Sequence, residues 1–226
     1  MSIYSYFARE CTAPGEKDRT MKFFGYLILG YILSTTILPL AHHRLTRGSW
    51  PLRFHSGADP FQRFIGLQLA LAMGLGTLWG LSLILFSPAS LHLMTIPVWM
   101  RALGWPLLMV GFLMESGSQF YMGKSFRMGL DEEHTELLIT GPYHFVRNPV
   151  YTGLILSLAG ITLITLSPYT IMGAIWMIST ISIQTRLEEQ HMMKMHGQRY
   201  ETYARRTGRF FPLLGRFHGA GMKVTA

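Results

Sequence analysis

The sequence has few charged residues, one cysteine and one asparagine. Charged residues make up 14% of the 226 residues, against roughly 25% in a typical soluble domain. The cysteine, Cys11, excludes an intrachain disulfide and a zinc site built from several cysteines. The asparagine, Asn148, precedes a proline, so the sequence has no acceptor for N-linked glycosylation. Because 49% of the residues are hydrophobic, a disordered chain is excluded and a membrane is favoured as the surroundings.

The formal net charge of +8 has two interpretations. An excess of basic residues is one sign of nucleic-acid binding. In a membrane protein, the same excess marks loops on the cytoplasmic side. We prefer the second interpretation, since the long uncharged segments already indicate a membrane, and we predict no nucleic-acid partner.

Long apolar segments predict an all-α, polytopic membrane protein. Residues 23–41 and 64–86 carry no charge and are 19 and 23 residues long. Helices of this length reach across a hydrocarbon core about 30 Å thick. The other predicted spans are residues 96–114, 149–167 and 169 to about 184. Only a tight turn at Pro168 separates the last two, so we expect about five spans that end in a helical hairpin.

The distribution of basic residues predicts the orientation. With five spans, 15 of the 20 lysines and arginines lie in the loops 42–63 and 115–148 and the tail 186–226, all on one side. Positive loops stay cytoplasmic, so we predict a multi-pass protein with a cytoplasmic C-terminal region and active site. Four or six spans remain open.

The first polar cluster lies before the fourth span. Gly141-Pro142 interrupts regular structure, and Pro149 suits the first turn of a helix. Asn148 then occupies the N-cap, where its side-chain oxygen can accept hydrogen bonds from free N–H groups. On spacing alone, Arg147 is a snorkelling arginine at the membrane surface.

The second polar cluster follows the fifth span. Glu188 and Glu189 are adjacent carboxylates at a membrane boundary, where charge is costly unless it is paired or hydrated. Solvation, or pairing with nearby arginines, is the simplest account. Beyond them, the spacing of residues 192–203 predicts a C-terminal amphipathic helix at the interface. A hairpin would bring residues 143–151 close to residues 186–189, so that both clusters enclose one cytoplasm-facing pocket.

The two clusters together resemble the isoprenylcysteine carboxyl methyltransferase and phospholipid methyltransferase families. The first part of the resemblance is Gly141-Pro142-Tyr143 followed by Arg147-Asn148-Pro149, Tyr151 and Gly153. The second part is Glu188-Glu189, Gly197, Tyr200, Tyr203 and the stretch 206–212. Two motifs in the right order, separated by an apolar hairpin, are far more specific than either motif alone.

The resemblance implies an integral membrane methyltransferase that uses S-adenosylmethionine and acts on a lipophilic or lipid-linked acceptor. The matching cofactor-binding positions are Thr135, Glu136, Leu137, Leu138, Tyr143, Arg147, Asn148, Pro149, Val150, Tyr151 and Glu188. As catalytic residues we predict Glu189, which can take a proton from an amine acceptor, and Arg186, which can hold an anionic acceptor or a lipid phosphate. No metal is expected. Asn148 replaces the usual histidine of the family, and asparagine does not accept a proton at neutral pH.

The predicted organisation has three parts. Residues 1–116 contain about three spans and shape the acceptor pocket, residues 117–212 bind the cofactor, and residues 213–226 form a tail. Two other functions remain open: a sterol-type membrane reductase that uses NADPH, and a non-enzymatic membrane scaffold. The acceptor, the methylated atom and the oligomeric state are not readable from the sequence.

Overall fold

The computed structural model describes residues 14–48, 60–123, 137–212 and 214–216. The predicted cofactor residues Thr135 and Glu136 lie outside the described residues. The helices are α1 (Pro14–Ile32), α2 (Leu38–Arg47), α3 (Pro60–Leu85), α4 (Val98–Met122), α5 (Pro142–Phe145), α6 (Pro149–Ile164), α7 (Pro168–His196) and α8 (Gln198–Arg206). In the described part, regular structure is helical apart from an isolated parallel bridge between Val146 and Gly208. The predicted all-α class is confirmed.

Three helical segments of the described chain are long and apolar enough to cross a membrane. They are Asp18–Thr46, Arg63–Leu85 and Val98–Met122. Helix α6 is apolar but shorter, with 16 residues. Large apolar side chains such as Leu113 and Ile175 are 60% and 63% exposed, as expected for surfaces that face lipid. The five-span count and the hairpin therefore stay predictions.

A π-helical turn, Leu33–Ile37, joins α1 to α2 within the first candidate span. Proline has no N–H, so Pro39 cannot donate the helical hydrogen bond to the carbonyl four residues earlier. Single π-helical turns of this kind occur inside α-helices, and this one lies just before Pro39. The Thr35 hydroxyl donates to the Tyr31 carbonyl oxygen over 2.9 Å and holds this turn together.

Helix α6 packs mainly along α4, and only to a small extent on α7. Glycines allow this close approach. A Cβ atom added to Gly111 would lie 2.6 Å from the Gly153 carbonyl oxygen, and one added to Gly153 would lie 2.5 Å from the Glu115 backbone nitrogen. Small residues let membrane helices approach until their backbones touch. The α4–α6 contact thus fixes where the beginning of α6 lies.

The region after the fifth predicted span differs from the sequence prediction. Helix α7 continues to His196, so Met192 and Met193 belong to it and not to a separate amphipathic helix. Gly197 ends α7 with a φ of +49°, which an L-residue rarely adopts, and α8 then begins at Gln198. Tyr200 and Ala204 of α8 are buried and pack in one cluster with Leu137, which precedes α5. Its position at a membrane surface stays a prediction.

Two glycines of α4 provide a matched test of the helix contact. Gly111→Ala should destabilise the protein by about 1–3 kcal/mol, because the added methyl group meets backbone atoms of α6. Gly117→Ala adds the same methyl group where nothing lies within 4 Å, and it should leave the stability unchanged or raise it slightly. Thermal unfolding in detergent measures both changes. Equal shifts in Tm would contradict the close α4–α6 contact.

Candidate active site

Arg147 lies just before α6, at the centre of a polar cluster that joins the beginning of α6, the end of α7 and the segment at and after the end of α8. We call this cluster the polar end of the molecule. Its side chain is only 2% exposed, and its Nε donates to Oε1 of Glu189 over 3.0 Å. Its Nη1 donates to the carbonyl oxygens of Ala204, at 2.8 Å, and Thr207, at 2.5 Å, and its Nη2 donates to that of Gly215, at 3.1 Å. The snorkelling interpretation is therefore wrong, because this guanidinium is buried inside protein rather than extended to the membrane surface.

Glu189 binds a second guanidinium. Arg209 donates to its two oxygens, with the closest contact 2.7 Å from Nη2 to Oε2. Asn148 donates to Oε1 from Nδ2 over 3.3 Å. Both oxygens of Glu189 therefore accept hydrogen bonds. Leaving this carboxylate unpaired in a buried site would be costly. This arrangement favours a positioning role for Glu189 over the predicted role as a base.

Asn148 occupies the N-cap of α6, as its position before Pro149 predicts, but its side chain does not cap the helix. The backbone carbonyl oxygen of Asn148 accepts hydrogen bonds from the N–H and the hydroxyl of Thr152, at 2.9 and 3.0 Å. The side-chain amide instead donates to Glu189 and to the Arg209 carbonyl oxygen. These two hydrogen bonds orient the side chain toward Glu189 and the segment after α8, so that its oxygen does not accept from the N–H groups at the beginning of α6.

Tyr151 and Glu188 form a second polar group, one that joins α6 to α7. The Tyr151 hydroxyl donates to Oε1 of Glu188 over 2.7 Å, and Nε2 of Gln184 donates to the same oxygen over 2.8 Å. Gln184 is fully buried, and its own Oε1 has no hydrogen-bond partner. Sequence analysis missed Gln184, although its position one helical turn before Glu188 was a usable signal.

Burial raises the pKa of the Glu188 carboxyl above its ordinary value, and the hydrogen bonds from Gln184 and Tyr151 oppose this shift. Glu188 lies one turn beyond the apolar stretch of α7 that ends near residue 184. Burial also raises the pKa of the hydroxyls of Tyr143, Tyr200 and Tyr203. These three rings therefore remain neutral at physiological pH.

One cavity of about 1110 Å³ connects these groups to the apolar interior. The predicted site residues that line it are Leu137, Leu138, Tyr143, Arg147, Asn148, Pro149, Val150, Tyr151, Glu188 and Glu189. Tyr200 and Tyr203 close the same end, and the Tyr203 hydroxyl donates to the Tyr143 carbonyl oxygen over 2.5 Å. Arg186 is exposed and is not among the described lining residues. The structure thus brings together every described cofactor-binding position but leaves Arg186 outside.

The remaining cavity wall is mostly apolar and comes from the candidate spans. Ile28 and Ile32 contribute from α1, Leu69 and Met73 from α3, and Leu154 from α6. A cavity of this kind accommodates a ligand with a polar, partly cationic portion at one end and an apolar portion between the helices.

The buried ion pair predicts a large stability difference between two arginine substitutions. Arg147→Ala leaves Glu189 short of a partner and frees the carbonyls after α8, so it should cost about 3–5 kcal/mol. Arg205→Ala removes an exposed pair with Glu201 and should cost less than about 1 kcal/mol. Thermal unfolding and hydrogen exchange of residues 198–212 measure the effect. Similar losses in both variants would show that Arg147 does not hold this region.

The region that contains the site is similar to known proteins. Residues 99–199 match the phospholipid methyltransferase family model. The chain is also 28% identical, over 118 residues, to a methanethiol S-methyltransferase from Crocosphaera subtropica. That alignment covers 51% of this chain and 46% of the relative, about half of each. The matched region contains the α4–α6 contact and the groups around Arg147, Tyr151 and Glu188. The family resemblance of the two motifs is confirmed over residues 99–199, the part of the chain that matches the phospholipid methyltransferase family model.

Proposed function

We propose that this protein is an integral membrane methyltransferase that transfers a methyl group from S-adenosylmethionine to a lipophilic or lipid-linked acceptor. The observation that carries this proposal is the Tyr151–Glu188–Gln184 group at the polar end of a cavity that continues between apolar helices. The family match and the methyltransferase relative support the reaction class.

The residues present fit S-adenosylmethionine, which carries a sulfonium, an ammonium, a carboxylate and an adenosine. Neutral tyrosine rings such as Tyr143 and Tyr151 suit the sulfonium through cation–π attraction, worth roughly 0.5–2 kcal/mol. The Glu188 carboxylate suits the ammonium or the ribose hydroxyls through charge-assisted hydrogen bonds. The unpartnered Oε1 of Gln184 is a further buried acceptor. Backbone groups of Leu137 and Leu138, on the cavity wall, can contact the adenine edge.

When bound, the cofactor supplies an electrophilic methyl group, and the protein has to position it and exclude water. Glu188, Tyr151 and Gln184 bind and orient it. Glu189, held by Arg147 and Arg209, fixes the beginning of α6 relative to the end of α7. We therefore assign Glu189 to positioning. Arg186 is exposed at the same end, which suits the predicted contact with an anionic acceptor or a lipid phosphate.

The proposed topology has five spans, of which α6 and α7 are the last two, with the cofactor site on the cytoplasmic side. Exposed apolar side chains on α7 that do not line the cavity, such as Ile175 and Ile178, support a lipid-facing position for it. Residues before α4 shape the acceptor pocket. The proposed tail, residues 213–226, is not wholly separate from the site, because the Gly215 carbonyl oxygen accepts a hydrogen bond from Arg147. Because α4 runs unbroken across residue 116, we extend the proposed cofactor-binding region, residues 117–212, to include this helix.

Substitutions at the Tyr151–Glu188 group should weaken cofactor binding. Glu188→Gln removes a charged acceptor and should lower the affinity for S-adenosylmethionine about 10–100-fold. Tyr151→Ala removes both a ring and a hydroxyl donor and should lower it roughly tenfold or more. Glu201→Gln changes a carboxylate on the outer face of α8 and serves as the matched control. Calorimetry in detergent measures all three affinities, and unchanged affinity in both site variants would refute the proposed site.

The raised pKa of Glu188 predicts a pH dependence of cofactor binding. Because burial raises this pKa, Glu188 takes up a proton at a higher pH than an ordinary glutamate does. The affinity for S-adenosylmethionine is then fully present above this pKa and falls as the pH drops through it. Glu188→Gln should remove this acidic limb of the affinity profile. A wild-type affinity that stays constant down to the ordinary pKa of glutamate would contradict a charged role for Glu188.

A further inference from the structure

We infer that Glu115 and Tyr31 form the acceptor site, in which Glu115 accepts the proton of a thiol or amine acceptor as the methyl group is transferred. The inference rests on the proposed function and adds to it the chemical class of the acceptor and the group that removes its proton. Neither residue belongs to the two motifs that carry the family resemblance.

Glu115 is a carboxylate inside the candidate span Val98–Met122, and only 5% of it is exposed. The Tyr31 hydroxyl, from α1, donates to its Oε2. Among the described residues no donor reaches Oε1. An ionisable side chain at this depth is costly, and it is retained in membrane proteins chiefly where it has a function. A pair that only fastened α1 to α4 would not need to face a cavity, whereas both Glu115 and Tyr31 line it.

The pair lines the same cavity as the proposed cofactor site. The Glu115 backbone packs against Gly153 of α6, where an added Cβ atom would lie 2.5 Å from its nitrogen. Tyr151 is two residues earlier on that helix, about 3 Å along the helix axis and about 200° around it. Tyr151, Glu188, Tyr31 and Glu115 all line the same cavity. An acceptor bound in this cavity can therefore place its head at Glu115, with the cofactor-binding group in the same cavity and its apolar tail between the spans.

Hydrogen bonds from the π-helical turn and a ring contact with α4 hold Tyr31 in position. The hydroxyls of Ser34 and Thr35, in the π-helical turn, donate to its carbonyl oxygen at 3.0 and 2.9 Å. Its ring packs on Phe112 of α4, with the ring centres 6.0 Å apart. With Tyr31 fixed and bound to Oε2, the other carboxylate oxygen of Glu115 is available for an acceptor.

A thiol or an ammonium acceptor has to lose a proton for the transfer to be complete. Loss of that proton frees a lone pair on the amine nitrogen or leaves a thiolate sulfur; this atom forms the new bond to the methyl carbon, and the bond from that carbon to the sulfonium sulfur breaks, leaving the electron pair on sulfur. The proton passes to the Glu115 carboxylate. Glu189 is poorly suited to this step, because Arg147 and Arg209 already donate to its two oxygens.

Acceptors that differ in ionisation separate a proton-accepting role from a structural one. The probes are octanethiol and phosphatidylethanolamine, which are protonated at neutral pH, and para-nitrothiophenol, which is already ionised. Glu115→Gln keeps an oxygen for the Tyr31 hydroxyl but cannot take up a proton. It should lower kcat at least about 100-fold with whichever protonated acceptor the wild type methylates, and less than threefold with the ionised one.

Binding measurements supply a readout that is independent of turnover. Glu115→Gln should bind S-adenosylhomocysteine within about twofold of the wild type, while the stabilisation of that complex by octanethiol or phosphatidylethanolamine should be reduced. Ser118→Ala, on the same helix with its buried hydroxyl bonded to the Met114 carbonyl, is the control and should match the wild type in both assays. If Glu115→Gln does not fold, Tyr31→Phe should lower kcat about threefold to tenfold, again only with protonated acceptors.

The outcomes are separable. A Glu115→Gln variant that binds S-adenosylhomocysteine normally, yet keeps its activity with protonated acceptors or loses activity equally with ionised ones, overturns this inference alone. The inference is also overturned if the wild type methylates neither octanethiol nor phosphatidylethanolamine. A wild-type protein that binds neither S-adenosylmethionine nor S-adenosylhomocysteine overturns the proposed function, and this inference with it.

Discussion

The ion pairs of Glu189 with Arg147 and Arg209 are the interaction on which the rest of the polar end depends. They join three parts of the chain: the beginning of α6, the end of α7 and the segment after α8. Arg147 also holds the carbonyls of Ala204 and Thr207, which fastens α8 over the same site. Because Arg147 and Glu189 are buried and leaving either unpaired would be costly, their pairing constrains how these segments pack together. That arrangement places Tyr151 opposite Glu188 and orders the tyrosines around the cavity.

A second constraint comes from the glycine contact between α4 and α6. Gly111 and Gly153 let the two backbones touch, which sets the level of Glu115 relative to Tyr151. Helix α7 makes much less contact with α6 than α4 does. The apolar wall of the cavity comes from α1, α3, α6 and α7, and its polar end comes from the residues near the ion pairs. In the proposed reaction this division separates the acceptor tail from the cofactor.

Local signals predicted much of this arrangement. Pro149 and Asn148 marked the start of α6 correctly, and the two motifs identified the residues that line the polar end of the cavity. Burial of Arg147 was not predictable from spacing, because its partners lie 42 to 68 positions away. The Tyr31–Glu115 pair spans 84 positions and belongs to no motif. The end of α7 at Gly197 could have been predicted, because glycine commonly ends helices. The apolar spacing continues across this residue, and it instead predicted one helix over residues 192–203.

The central claim is that S-adenosylmethionine binds between the beginning of α6 and the end of α7. Ultraviolet cross-linking of radiolabelled S-adenosylmethionine to the protein in detergent, followed by mass spectrometry of the labelled peptides, tests this claim most directly. The account predicts label on the peptide that contains Tyr143 and Tyr151 or on the one that contains Glu188, with excess S-adenosylhomocysteine preventing the reaction. Label confined to other peptides, or label that S-adenosylhomocysteine does not displace, would contradict it.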